Sequence, residues 1–259
     1  MGVVGAVVAS RGPRATTKYW DVYAPTVSSA TLAPLLSYLD SFIDQLAADF
    51  GYTIFPLPGG QPRLILFLDP SMPVGAASAG TAKYGPYSVG ISDGSIGPII
   101  NGAANFWFYL LSLHETTNIW TGTLAQGWPW ADGSSLWKGT SPFPSACDII
   151  ITEELGLTDV SSTQTQNVGS DPGVQLILSI QKTYGWKAFQ DLFSYMQKQG
   201  IADLTAYSEP LRTAIICWFL SYSCGTSLLS QFNAAVYADS GLTIPSSVYQ
   251  QAQAMFPTP

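Results

Sequence analysis

The run from Ala103 to Trp120 is apolar on nearly every side of a helix, and this feature limits what the chain can become. A helix without a polar face must be surrounded, either by lipid or by the rest of its own protein. Its most apolar part, Ala103 to Leu113, falls short of the roughly 18 residues that cross a bilayer, and Ala214 to Leu220 is shorter still. Both read as core helices. The chain can supply such a core: it has 259 residues, 47% of them hydrophobic and only 10% charged. That balance excludes disorder and suits one large domain or two small lobes.

The formal net charge of -7 argues against nucleic acid as a partner, because phosphates need a basic stripe and the ten Lys and Arg are scattered. Serine and threonine hydroxyls carry much of the surface polarity that charges normally supply. A surface of that kind suits an extracellular or cell-surface protein. Met1 to Ala9 is almost wholly apolar, with Val3, Val4, Val7 and Val8, yet it lacks the basic start and the length of a secretion signal. Residues 1–10 are therefore expected to form a strand that pairs with a neighbouring copy of the chain. Cys217 and Cys224 lie about 10 Å apart on one helix, beyond disulfide reach. A bridge from Cys147 to either stays open.

Along the chain, residues 17–24 read as an extended segment. Leu32, Leu35, Leu36, Leu39, Phe42, Ile43 and Leu46 recur at helical steps, with Ser28 and Ser29 as caps and Gly51 as the stop. Arg63 to Leu68 reads as a central strand and Tyr87 to Ser92 as another. From residue 103 onward the text is helical: 103–120, 145–155, 172–184 behind the Asp171-Pro172 cap, 186–199, 208–223, 228–238 and 246–254. A long aromatic loop, Gly122 to Pro144, interrupts it. The expectation is an α+β chain divided into the apolar segment 1–15, an α/β lobe at 16–101 and a helical lobe at 102–259. The acidic pair Asp40 and Asp44 reads as a solvated helix face.

His114 is the only histidine, and Glu115 follows it on the buried helix. In an H-E-x-x-H helix two imidazoles four residues apart bind zinc from one face, and the glutamate deprotonates the metal-bound water. Here the second position is Asn118. On Leu113 to Gly122, on Ile150 to Gly156 and on looser patterns at Tyr19 to Pro25, Tyr184 to Phe193 and Ser221 to Tyr249, the chain resembles the gluzincin class of zinc metallopeptidases. The resemblance implies a zincin-like fold with a small sheet-plus-helix lobe and a mainly helical lobe. It implies His114 as first zinc ligand, Glu115 as general base and Glu154 or Glu153 as third ligand. Glu154 is favoured because it shares a helix face with Ile150 and Ile151. Asn118 replaces an imidazole with a poorer zinc donor, so the motif is degenerate: zinc is expected to bind weakly or not at all, with little or no peptidase activity. Asp148 ranks second as a metal candidate.

Trp128, Trp130 and Trp137 lie close to the motif in sequence, with Asp132 among them. They suggest a rim where indole faces stack on a peptide or a glycan. Packing into the core is the stronger reading of the three. Two further functions compete with the metallopeptidase-like one. The chain could be an extracellular filament or surface-layer subunit joined through residues 1–10, or a carbohydrate-binding module using the tryptophan loop.

Overall fold

A computed structural model of the chain describes residues 12–80, 83, 85–130, 135–138 and 141–259. The expected assembly strand at residues 1–10 and the acidic loop residue Asp132 lie outside them. The described chain is α+β, with a small mixed sheet and a helical majority, and forms two compact units. No helix among the described residues is long and apolar enough to cross a membrane.

The first unit takes the described residues up to Ala47, then Thr53–Ile119 and Ile151–Thr163. Its sheet is built from β1 (Ala15–Thr16), β2 (Trp20–Tyr23), β3 (Leu64–Asp69), β4 (Ala77–Ala79) and β5 (Ser88–Ser92), in the order β1-β2-β3-β5-β4. β2, β3 and β5 run parallel, with Trp20 opposite Leu64 and Ile65 opposite Ser88. β1 and β4 close the edges antiparallel. A central parallel strand is covered on both faces, which is why β3 reads as an unbroken apolar run.

Helix α1 (Ser29–Phe50) buries the predicted stripe of Leu32, Leu35, Leu39, Phe42, Ile43 and Leu46. Ser28 caps it: its Oγ accepts from the Thr31 amide at 3.1 Å. At the other end Gly51 adopts φ +72°, a left-handed conformation that glycine enters without steric cost. A minor hairpin, β6 (Ile99–Ile100) with β7 (Ala103–Ala104), precedes helix α2 (Phe106–Leu124), so the expected helix begins three residues late. On α2, Tyr109 packs edge-on against Tyr38 of α1 at 5.1 Å between ring centroids. This unit also holds α4 (Thr158–Val168) as far as Thr163, a helix that lacks a clear apolar stripe and was not anticipated.

Asp40 and Asp44 do more than solvate a helix face. The Asp40 carboxylate accepts from the Thr17 hydroxyl at 2.7 Å and from the Lys18 and Tyr19 amides at 3.1 Å, clamping the β1–β2 turn onto α1. Asp44 accepts from the Tyr19 phenol at 2.7 Å and from Lys18 Nζ at 3.0 Å. The phenol hydrogen bond, followed by the ammonium, holds the Asp44 carboxyl below its ordinary 3.8. A carboxylate whose folded value is lowered adds stability above the unfolded value, and that stability is lost as pH falls through the lower folded value. With 56% of the side chain exposed, solvent screening limits this to about 0.5 kcal/mol. Asp44→Asn is therefore expected to melt slightly below the parent at pH 7 and by a smaller margin at acid pH, since the deficit shrinks as pH falls through the folded value of Asp44. An equal deficit at both pH values would show that the carboxylate's charge is not the cause.

The second unit takes Ala48–Tyr52, Trp120–Ile150 and Gln164–Pro259. Helix α3 (Pro142–Glu154) lies in it as far as Ile150, followed by α5 (Pro172–Tyr184), α6 (Lys187–Lys198), α7 (Glu209–Ser223), α8 (Leu229–Ser240) and α9 (Ser246–Met255). The Asp171 cap works as expected, its side chain accepting from the Gly173 and Val174 amides at 2.9 and 3.1 Å. The core is aromatic: Phe50, Phe143, Phe189, Phe193 and Phe232 are all essentially inaccessible to solvent. Cys147, Cys217 and Cys224 form no disulfide, so the bridge left open for Cys147 is not made. Burial is the main cause that pushes the Cys224 thiol up to about 11, with Asp191 adding to it.

Candidate functional site

The motif residues sit on α2, whose buried face carries hydroxyls that would be costly if unpaired. The helix satisfies them with its own backbone. Ser112 Oγ donates to the Phe108 carbonyl at 2.6 Å, Thr117 Oγ1 to the Leu113 carbonyl at 3.0 Å, and Thr116 Oγ1 to the Ser112 carbonyl. This is how a serine and two threonines fit into an otherwise apolar helix. His114, Glu115 and Asn118 lie on the same helix and are half-buried, neither sealed in the core nor free in solvent.

His114 and Asn118 are one helical turn apart, as their spacing requires. Asn118 Nδ2 donates to Glu115 Oε2 at 3.5 Å, the outer limit of a hydrogen bond. The amide thus turns a donor toward the carboxylate at the position where the H-E-x-x-H pattern needs a lone pair for metal. An amide in that orientation restrains the Glu115 carboxylate and neutralises part of its field.

The third ligand does not behave as its helix face suggested. Glu154 is the last residue of α3, is exposed, and accepts from Gln45 Nε2 at 2.9 Å. Glu153 is exposed as well. The inward-pointing expectation for Glu154 is therefore corrected, because the face argument holds only while the helix continues. α3 ends there, the Gly156 amide donates to the Glu153 carbonyl, and Gly156 takes φ +76°. Gln45, on α1 and 109 positions from Glu154, was missed as a partner, and no local pattern could have revealed it. Among the described residues no three His, Cys, Asp or Glu side chains gather into a metal-holding group. Asp148 is fully buried on α3.

The tryptophans, which belong to the second unit, are core residues. Trp128, Trp130 and Trp137 are 5%, 0% and 3% exposed, which removes them as a substrate rim. Trp130 stacks on Phe143 at 5.6 Å with an interplanar angle of 15°, and meets Trp128 edge-on at 5.8 Å. A buried indole face already stacked on phenylalanine cannot also receive a sugar or a peptide ring. The signal that separates the two readings is the partner ring on a distant helix, and sequence proximity does not supply it.

Compared with protein-family models, with curated proteins and with solved structures, the chain gives no match.

Proposed function

We propose that the chain is a secreted metallopeptidase-like protein with a zincin-like fold, whose motif helix no longer carries zinc-dependent hydrolysis. The observation that carries this reading is the Asn118 amide, which occupies the second-ligand position on α2 and directs Nδ2 at Glu115. The order of elements supports it: a sheet with one long helix, then a buried helix bearing His-Glu, then a helix ending in Glu153-Glu154. The donor set fits zinc poorly. A zinc site needs three protein ligands plus water, whereas here one position is a neutral amide and Glu154 is engaged by Gln45 in an exposed position.

Casein hydrolysis tests this. The full chain and Glu115→Gln are expected to give the same rate, that of buffer with zinc added. A general base contributes about a hundredfold to ten-thousandfold in rate. Cleavage by the full chain that drops by such a factor in Glu115→Gln would overturn the reading.

A further inference from the structure

Within the second unit, the C-terminal turns of α7, the chain entering α8 and one face of α9 line a cavity of about 390 Å³. That lies within the range of about 300 to 1,000 Å³ typical of small-molecule sites. The placement follows from spacing. Trp218, Ser221 and Tyr222 are three and four residues apart on α7, and Tyr249 and Gln253 are four apart on α9, so each set shares one helix face. Thr226 and Ser227, both exposed, form its rim on the connecting turn.

The aromatic walls are held in place. Trp218 Nε1 donates to the Phe256 carbonyl at 2.7 Å, which uses its only donor and leaves π surface as what the indole can offer a ligand. Trp218 meets Tyr222 edge-on at 5.6 Å and Tyr249 edge-on at 6.3 Å. Tyr249 is buried, whereas Tyr222 is 44% exposed at the mouth. The polar groups differ in what remains open to a ligand. Ser221 Oγ donates to the Cys217 carbonyl and accepts from the Leu228 amide, so it is satisfied within the protein. The Gln253 amide and the Thr226 hydroxyl have no side-chain hydrogen-bond partner among the described residues. Among the described residues, none that lines the cavity is an acid, a lysine, an arginine or a histidine.

We propose that this cavity binds a neutral sugar ring, its C–H face against the exposed ring of Tyr222, its edge toward Trp218 and its hydroxyls on Gln253 and Thr226. The chemistry narrows the choice. An ionic ligand would enter without a counter-charge, and a wholly apolar one would leave the amide and hydroxyl unpaired as it expelled their water. A pyranose presents both kinds of surface at once, an apolar face for aromatic rings and an equatorial fringe of donors and acceptors. The site is independent of the motif helix, and its test does not depend on whether the peptidase-like reading survives.

The experiment is saturation-transfer NMR and calorimetry on the full chain with three neutral trisaccharides, cellotriose, chitotriose and maltotriose, each up to about 10 mM. At least one is expected to bind, with transfer strongest to its ring C–H protons. Tyr222→Ala and Gln253→Ala are expected to weaken that Kd about tenfold each. Tyr222 is exposed enough for its removal to spare the core, and Gln253→Ala carries the test alone if Tyr222→Ala alters the melting temperature. Absence of binding by all three sugars would overturn the proposal, as would an affinity unchanged by both variants. Indole binding at a tenfold lower concentration than any sugar would also overturn it, since the cavity would then be an apolar one.

Discussion

Phe143→Ala is expected to lower the unfolding free energy by about 3 to 5 kcal/mol, the usual cost of deleting a fully buried phenylalanine ring. Phe143 is completely inaccessible to solvent and joins several elements of the second unit. It stacks on Trp130 and lies 5.6 Å from Phe50, 5.5 Å from Phe189 and 6.1 Å from Phe193, measured between ring centroids. Truncation removes dispersion contacts on every side at once. The surrounding indoles and phenyl rings are rigid, so the cavity left behind should collapse only partly. Against a total stability of about 5 to 15 kcal/mol for an ordinary domain, such a loss is severe. Urea unfolding followed by tryptophan fluorescence would measure it as a fall in midpoint. Tyr237→Ala, which truncates a ring 64% exposed, should stay within about 0.5 kcal/mol of the parent. A Phe143→Ala midpoint equal to that of Tyr237→Ala would show that the aromatic cluster is not what holds this unit.

The second large effect is a gain. Four-ligand zinc sites have apparent binding free energies of about 10 to 16 kcal/mol, which puts one ligand at roughly 3 kcal/mol, or about a hundredfold in Kd. Asn118→His would place a second imidazole one turn from His114 on the half-buried face of α2. It would also replace the amide donor that now faces Glu115. Competition with a chromophoric chelator should show zinc affinity rising about a hundredfold. The gain should fade as pH drops below about 6.5, because an imidazole must be neutral to ligate. No gain at pH 7.5 would mean that positions 114 and 118 cannot serve one ion, and the likeness to an H-E-x-x-H helix would lose its physical content.

Much of the fold was legible because its elements carry local physical signals. The α1 stripe from Leu32 to Leu46, the Asp171-Pro172 start of α5 and the apolar run of β3 each state their structure within a few residues. α4 was not legible: Thr158–Val168 is mostly hydroxyls and amides, and its buried Val160, Thr163 and Gln164 make no apolar stripe. The candidate site was legible only on its own helix. His114, Glu115 and Asn118 fall where spacing puts them, but Glu154 depends on where α3 stops and on Gln45 far away in the chain. The tryptophans show the same limit, since Trp130 and Phe143 stack through tertiary packing alone. Asp40 is a milder case. Its helix position suggested solvent, yet the β1–β2 turn happens to pass over it and supplies three donors. The aromatic cavity of α7 and α9 was missed because Trp218 and Tyr222 belong to one helix and Tyr249 to another.

The central claim is that Asn118 has taken the zinc chemistry out of this helix, and the most direct measurement is the zinc content of the unaltered full chain. The protein would be purified without chelators, equilibrated with a small excess of zinc, desalted and analysed for metal. The account predicts zinc far below one equivalent per chain. One tightly held zinc per chain, lost on His114→Ala, would contradict it.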